Sequence, residues 1–510
     1  EFNNDFRLSL ENREYTPLFS KDYLYYRENS WKKSLEDDTK YTVGTYILSI
    51  DAFIKDAMAH NEIFLNILKE GLPKYFSVGR YHSWVVEKTN FPDCLEIIAE
   101  SKEGLIMARR KYTFIDLFAG CGGLSEGFYR QGFKALAHAE IDHWACETLR
   151  TRMKFYGYKD YNREVIEHDI TSDDILERID NAVNGRTVDI IIGGPPCQAY
   201  STAGRVRDGK KMASDPRNYL FESYVKILEY YSPKFFVFEN VTGLLSAQVK
   251  NAPIFPKVLK ALGNKYNVIG NPEVLVHNTA DYGVPQLRKR VIIIGVRKDI
   301  DKSAEELYKS IIKTHWNPET LSNEKKGKKR FVDVRQAIGD LPSVEPGQDA
   351  STENFDYPCN NEFLKRIGKP GIHPLMDHIA RKHNDLDRER FQVMIHNHWS
   401  FGQLRREMPQ YEHEHARVFD NSYVVQWWDL PSKTILAHIH KDGFQFIHPD
   451  EEQRRTFTVR EAARIQSFPD DFEFKGSRGE KYKQIGNAVP PLFAEALAKS
   501  IKKNLIDITA

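Results

Sequence analysis

The sequence predicts an α/β protein: a doubly wound, mostly parallel sheet, joined to a smaller loop-rich segment and a mainly helical N-terminal extension. Three observations carry this. Short apolar runs alternate with helix-like stretches from Tyr112 to about Arg297, the pattern of successive βαβ units. A glycine-rich turn follows the first run, and polar residues stand where later runs end, as they do when ligands bind at the carboxyl edge of a parallel sheet. From 299 to about 450 the alternation stops, and that segment holds most of the histidines with many Pro, Asn and Asp residues.

Size and composition bound the reading. A chain of 510 residues has room for roughly two to four domains. Hydrophobic content of 41% with 12% aromatics belongs to a folded chain rather than a disordered one. No apolar run of about 18 residues occurs, so no membrane span is expected, and no charged-then-apolar leader points to secretion. The five cysteines (Cys94, Cys121, Cys146, Cys197, Cys359) are scattered without a C-x-x-C pair, which favours a reducing compartment over a disulfide framework. A net charge of +1 announces no polyanion partner in bulk, although a reader of nucleic acid can gather its cations on one face.

The elements follow in order. Ile47, Ile50, Ile54, Met58, Ile63 and Ile67 recur at helical spacing until Gly71 and Pro73, predicting an amphipathic helix within an extension of residues 1–110. Strands are expected at Thr113–Phe118, Lys134–Glu140, Val188–Ile192, Phe235–Phe238 and Val291–Val296. These place a first α/β domain over 111–298. An insertion of loops and short strands, 299–455, carries the basic run Lys325-Lys326-Gly327-Lys328-Lys329-Arg330. Helices over Thr458–Ser467 and Pro490–Lys502 bring residues 456–510 back to the first fold.

A ligand site is expected at the first three strand ends. Phe118-Ala119-Gly120-Cys121-Gly122-Gly123 joins a strand to a helix, and glycines there let backbone N–H groups approach a ligand. The next strand ends at Glu140-Ile141-Asp142, an acid about 20 residues on, the spacing that holds ribose hydroxyls. A third end, His168-Asp169-Ile170, sets an acid beside an apolar residue, suited to an adenine edge and face. Helix N-capping is the alternative role for Asp142 and Asp169. With neither a Walker-type phosphate loop nor G-x-G-x-x-G present, a nucleoside without phosphates fits better than a triphosphate or a dinucleotide.

The fourth strand end is Gly193-Gly194-Pro195-Pro196-Cys197-Gln198. Prolines fix their own backbone and bias the preceding residue towards extended conformations, while glycines permit a tight turn. Cys197 is thereby presented on a rigid turn rather than packed.

Taken together, Asp116–Gly123, Gly194–Gln198, Glu239-Asn240-Val241, Gln286-Leu287-Arg288-Lys289-Arg290 and Gly486-Asn487-Ala488-Val489-Pro490-Pro491, in this order, resemble the cytosine-5 DNA methyltransferases of the bacterial modification type over residues 112–503. The resemblance implies a Rossmann-like methyltransferase sheet, S-adenosyl-L-methionine as donor with S-adenosyl-L-homocysteine as product, and no metal. It implies Cys197 as nucleophile on carbon 6 of cytosine, because carbon 5 is too weak a nucleophile unaided and a thiolate adduct turns the ring into an enamine. Glu239 becomes the donor to ring N3, Arg290 the contact to the base and Arg288 the contact to a phosphate, with Lys289 turned away. Gly194 and Pro195 border the cofactor. Pro195, Gln198, Ser201, Arg205, Asn240 and Gln286 are placed on the substrate side, Asn240 bracing the turn of Cys197. Asn487 and Ala488 line the methionine end, with an N-cap by Asn487 as the alternative.

The loop after Cys197, with Arg205, Arg207, Lys210 and Lys211, suits a lid closing behind a base flipped out of duplex DNA. By resemblance, residues 299–455 form a target-recognition domain, with His396, Asn397, His398, Trp399, Arg405, Arg406, His438, His440 and Lys441 available to bases or phosphates. A zinc site among these histidines lacks a Cys-rich ligand pattern. The expected partners are double-stranded DNA and a cognate restriction endonuclease or defence-system proteins, in the cytoplasm of a bacterial or phage-infected cell. Alternative readings are a tRNA cytosine-5 methyltransferase, and a catalytically silent DNA-binding regulator.

Overall fold

The computed structural model describes residues 95–100, 106–196, 219–249, 252–411 and 423–509. Two compact units divide the chain, residues 1–111 with 505–510, and residues 112–504. In the first unit, Leu95–Glu100 and Ile106–Arg110 pair as an antiparallel hairpin with an irregularity between Ile97 and Ala99. The helix expected around 47–67 lies outside the described residues.

The second unit is built on an eight-stranded sheet. Its strands are β1 (Thr113–Leu117), β2 (Lys134–Glu140), β3 (Val165–Glu167), β4 (Ile190–Gly193), β5 (Phe235–Val241), β6 (Tyr266–Asn267), β7 (Val276–Asn278) and β8 (Lys289–Arg297). Their order is β6-β8-β5-β4-β1-β2-β3, with β7 also pairing β8. The run from β5 through β3 is parallel. β8 is antiparallel to β5, with Arg290 opposite Val241 and Val296 opposite Phe235. The chain therefore reverses between β1 and β4, opening a crevice at the carboxyl edge.

Burial explains why these segments read as continuous apolar runs. Every residue of β1 and β4 is buried, as happens when both faces of a parallel sheet are covered. The short strands β3, β6 and β7 escape the sequence pattern because two or three residues cannot display a period.

Helices α1 (Gly123–Arg130), α2 (His143–Phe155), α3 (Ile175–Val183), α4 (Leu220–Tyr231) and α5 (Ile254–Leu262) connect the strands. The 299–455 stretch, where only loops and short strands were expected, holds several helices, among them α6 (Asp385–His396) and α7 (Phe401–Glu407). Their period is masked because the inward face of α6 carries Asp387 and Arg390 beside Phe391, Met394 and Ile395. Those two charges pair at 2.9 Å, and Tyr423 donates to Asp387 at 2.7 Å. Around them Phe391, Met394, Phe401, Leu404, Tyr423, Val425 and Ile447 form a local core.

Helices α8 (Val459–Ile465), α9 (Arg478–Asn487) and α10 (Pro491–Thr509) follow. Buried arginines tie α8 to the stretch before it. Arg455 pairs both guanidinium nitrogens with Glu461 at 2.7 and 2.8 Å. Arg464 pairs with Asp340 at 2.5 Å and Asp470 at 2.7 Å, and Arg460 donates to the carbonyls of Met376, Pro469 and Phe472. Residues 299–455 thus share one compact unit with the sheet.

Candidate active site

The glycine turn begins with strain. Phe118 has φ 58°, followed by Gly120 at 54° and Gly122 at 88°; a phenylalanine in this region is uncommon and is held only by its surroundings. Ala119 N–H donates to the Ala139 carbonyl at 3.1 Å, and Gly120 N–H donates to Glu140 Oε2 at 2.7 Å. Glu140 Oε1 accepts from the N–H groups of Ile141 and Asp142, each at 2.9 Å. One carboxylate therefore joins the ends of β1 and β2, and burial raises its pKa against the pull of those N–H groups.

Beneath the turn lies Asp116, which the sequence reading passed over. Burial pushes its carboxyl up to about 8, Ser125 Oγ donates to Oδ2 at 2.5 Å, and Oδ1 has no partner among the described residues. The signal was an acid inside an otherwise apolar strand. Such a group favours its neutral form because a buried unpaired charge is costly.

The acids at the next two strand ends differ. Asp142 caps α2, Oδ1 accepting from Ala145 N–H at 2.8 Å, so the capping alternative describes this carboxylate in the structure. Asp169 caps no helix. Its Oδ1 accepts from Thr171 N–H and Thr171 Oγ1, which hold its pKa down, and the side chain is exposed. Ile170 is buried, while Ile141 is 66% exposed. An exposed apolar side chain flanked by acids at a sheet edge suits a nucleoside: Ile141 for a ring face, Asp169 for an exocyclic amine, Glu140 or Asp142 for sugar hydroxyls. The residues present fit S-adenosyl-L-methionine on these grounds.

The reacting half forms where β4, β5 and β8 meet. Glu239 and Arg290 pair at 3.0 Å with both side chains largely covered. A Cβ on Gly194 would stand 2.7 Å from Glu239 Oε2, so only glycine lets the carboxylate lie this close to the turn. Asn240 Nδ2 donates to the Pro195 carbonyl at 3.1 Å, and its Oδ1 accepts from Val241 N–H at 2.9 Å. Asn240 thus braces the chain leading into residue 197. Lys289 turns outward and pairs with Glu319 at 2.8 Å. Cys197, Gln198, Ser201 and Arg205 lie outside the described residues.

Two assignments need correction. Arg288 was expected on a phosphate, yet it is 2% exposed and donates to the carbonyls of Ile435 (2.7 Å), Gly486 (3.3 Å) and Ala488 (3.0 Å). Burial, helped by the like charge of Arg290, pulls its pKa down. Gln286 was expected on the substrate side, but it is fully buried. Its Nε2 donates to Gln466 Oε1 at 2.7 Å and its Oε1 accepts from Ile435 N–H at 2.7 Å. Both residues fasten distant segments to the strand instead of reaching a ligand.

The last motif does return to the glycine turn. A Cβ on Gly123 would stand 2.4 Å from the Val489 carbonyl and 3.0 Å from Ala488 Cβ. Cys121 Sγ lies 3.7 Å from the Gln484 carbonyl. Asn487 is exposed and is the last residue of α9, so it caps no following helix start; Ala488 is buried. In the 299–455 stretch, His396 pairs with Glu451 and His398 stacks on Trp427. Among the described residues, His143, Glu147 and Glu167 alone gather metal-ligand atoms, within 4.8 Å. Arg150 already pairs with both of those carboxylates, at 2.5 and 2.9 Å.

The strand-end acids and the buried Glu–Arg pair lie on a doubly wound, Rossmann-like sheet, a fold that takes ligands at the carboxyl edge of its strands. The model of the C-5 cytosine-specific DNA methylases matches residues 112–503, and the chain belongs to that family; it is a DNA (cytosine-5-)-methyltransferase. Type II methyltransferase M.Bpa9945I of Bacillus paralicheniformis is 34% identical over 454 residues, covering 76% of this chain and 98% of its own. Type II methyltransferase M.DdeI of Desulfomicrobium norvegicum is 34% identical over 407 residues, with 76% and 88% covered. The crystal structure of a candidate DNA modification methyltransferase encoded within an E. coli prophage superposes with a TM-score of 0.55 at 24% identity, covering 78% of this chain and all of that one. That likeness bears on the fold. No helix among the described residues is long and apolar enough to cross a membrane.

Proposed function

We propose that the protein methylates carbon 5 of a cytosine flipped out of a specific duplex DNA sequence, through a covalent Cys197 adduct. The observation that supports this best is the Glu239 carboxylate, fixed by Arg290 and laid against Gly194 on the turn that leads into Cys197. The Cys197 thiolate adds to carbon 6, and the ring electrons move towards N3, where Glu239 supplies a proton. Carbon 5 then takes the methyl group of the bound donor, S-adenosyl-L-methionine, which furnishes an electrophilic methyl sulfonium. Loss of the carbon-5 proton to water, departure of the Cys197 sulfur as a thiolate and return of the N3 proton to Glu239 restore the aromatic ring. Arg290 orients Glu239 and Asn240 holds the Pro195 carbonyl, so the acid and the segment that leads towards Cys197 are fixed to one another.

The reading extends to setting. Its relatives are type II methyltransferases, and a cognate restriction endonuclease in a bacterial cytoplasm is the matching partner. The test is duplex DNA substituted with 5-fluorocytosine, supplied with the methyl donor. Because fluorine cannot leave as a proton does, an adduct located by mass spectrometry at Cys197 is expected, and Cys197→Ser should lose both adduct and methyl transfer. Methylation of duplex DNA with no such adduct would overturn the mechanism. Methylation of tRNA in place of duplex DNA would overturn the substrate.

A further inference from the structure

The basic run of the insertion is absorbed by none of the chemistry above, and its placement gives it a use. His315–Trp316 pairs with Lys329–Arg330, closing residues 317–328 into a loop on a short two-stranded foot. The foot is firm. Asn317 Nδ2 donates to Asp281 Oδ1 at 2.5 Å, Lys313 pairs with Asp281 at 3.2 Å, and Trp316 meets the buried ring of Phe331 edge-on at 5.2 Å. The two short strands are parallel, so residues 317–328 cross back from the end of the first to the start of the second.

Its charge is unbalanced. Lys329 pairs with Glu362 and Arg330 with Asp333. Among the described residues no carboxylate pairs with Lys325, Lys326 or Lys328, and Lys325 instead sits 4.3 Å over the Trp316 ring. Three cations within four residues repel one another, and an anion from outside the chain relieves that repulsion.

The position selects the anion. Glu319, at the base of the loop, pairs with Lys289, the residue before Arg290. Arg290 in turn stands opposite Val241, at the carboxyl end of β5. The loop therefore rises beside the strand end that carries Arg290, on the same edge of the sheet as Gly194 and Glu239.

We infer that the Leu321–Lys328 loop holds the phosphodiester backbone of duplex DNA flanking the target sequence. This rests on duplex DNA being the substrate. Sequence-independent phosphate contacts of this kind add affinity and salt dependence without reading bases.

The experiment measures binding of the full chain to a 40-bp duplex of arbitrary sequence across a salt series, for the wild type, K325Q/K326Q/K328Q and Glu324→Lys. Each phosphate contact contributes about 0.9 to the slope of log K against log salt. The triple variant should lower that slope by about 2 to 3, and the Glu324→Lys variant should raise it. Thermal unfolding confirms that each variant folds. An unchanged slope in a folded triple variant, with the wild type methylating duplex DNA, overturns the loop's role alone. A wild type that methylates no duplex DNA overturns the substrate reading instead. A triple variant impaired on tRNA but not on duplex DNA also refutes the assignment.

Discussion

Replacing Gly194 with alanine tests the geometry of the reacting half most directly. The added Cβ would lie 2.7 Å from Glu239 Oε2, whereas ordinary contact begins near 3.4 Å. The carboxylate must therefore retreat by about 0.7 Å (3.4 − 2.7), and Arg290, 3.0 Å away on its other oxygen, moves with it or loses the pair. A displacement of about 1 Å in a positioned group costs on the order of 100-fold in rate. The expected loss is thus roughly 10- to 100-fold in kcat, about 1.4 to 2.7 kcal/mol. Because the clash is with the end of a flexible side chain, fold stability should change by less than about 1 kcal/mol. Single-turnover methyl transfer to duplex DNA at saturating donor reads the first quantity, and urea unfolding reads the second. Asn240→Ala, which frees the Pro195 carbonyl, should slow the same step. A Gly194→Ala enzyme within twofold of the wild-type rate would refute the placement of Glu239 against the turn.

The other consequences concern stability and pH. Arg288→Ala strands three buried carbonyls and should cost about 3 kcal/mol or more in urea unfolding; in a folded Arg288→Gln protein the salt dependence of DNA binding should match wild type, and a slope lower by about 1 would return Arg288 to a phosphate. Gly123→Ala drives a Cβ against the Val489 backbone carbonyl and should destabilise by about 1 to 3 kcal/mol, with a wild-type melting temperature as the contrary result. Burial lowers His138 and His277 to about 4 and His448 to about 3, so below pH 6.5 the unfolded chain takes up protons that the native one refuses, and stability falls as pH drops from about 6.5 towards 4. Between pH 7 and 5 these three histidines together remove about 5 kcal/mol. Asp116, raised to about 8, works the other way over that interval, adding about 2 to 3 kcal/mol. Asp116→Asn should therefore steepen the acid loss, and unfolding midpoints that are flat from pH 7 to 5 in both proteins would contradict the burial of these groups.

Much of the sheet was legible because its strands are buried on both faces and so appear as unbroken apolar runs. Lys134–Glu140 was found at its observed bounds, and Thr113–Leu117 and Phe235–Val241 differ from expectation only at their carboxyl ends. The residues at the strand ends were legible for a different reason. Phe118, Glu140 and Asp169 stand at strand ends, where the topology leaves no choice about which edge they share. The 299–455 stretch was less readable. A helix such as α6 turns Asp387 and Arg390 inward, and a hydrophobicity pattern scores both as solvent-facing.

The arginine strand shows why residue type and spacing stop short of role. Gln286, Arg288 and Arg290 alternate, so the two-residue period of extended chain sets all three on one side. The sequence contains that much. It does not contain depth along the strand, and exposure runs 0%, 2% and 8% from Gln286 to Arg290. The first two therefore end among carbonyls and amides of residues 435, 466, 486 and 488, and the third alone meets Glu239. Their partners are mostly backbone atoms some 150 to 200 positions away, and a backbone carbonyl leaves no mark in a sequence. A guanidinium with five donors is well made for gathering such carbonyls. The same chemistry that suits arginine to phosphate suits it to joining residues 435, 486 and 488 to the strand that carries Arg290, and only burial distinguishes the two uses.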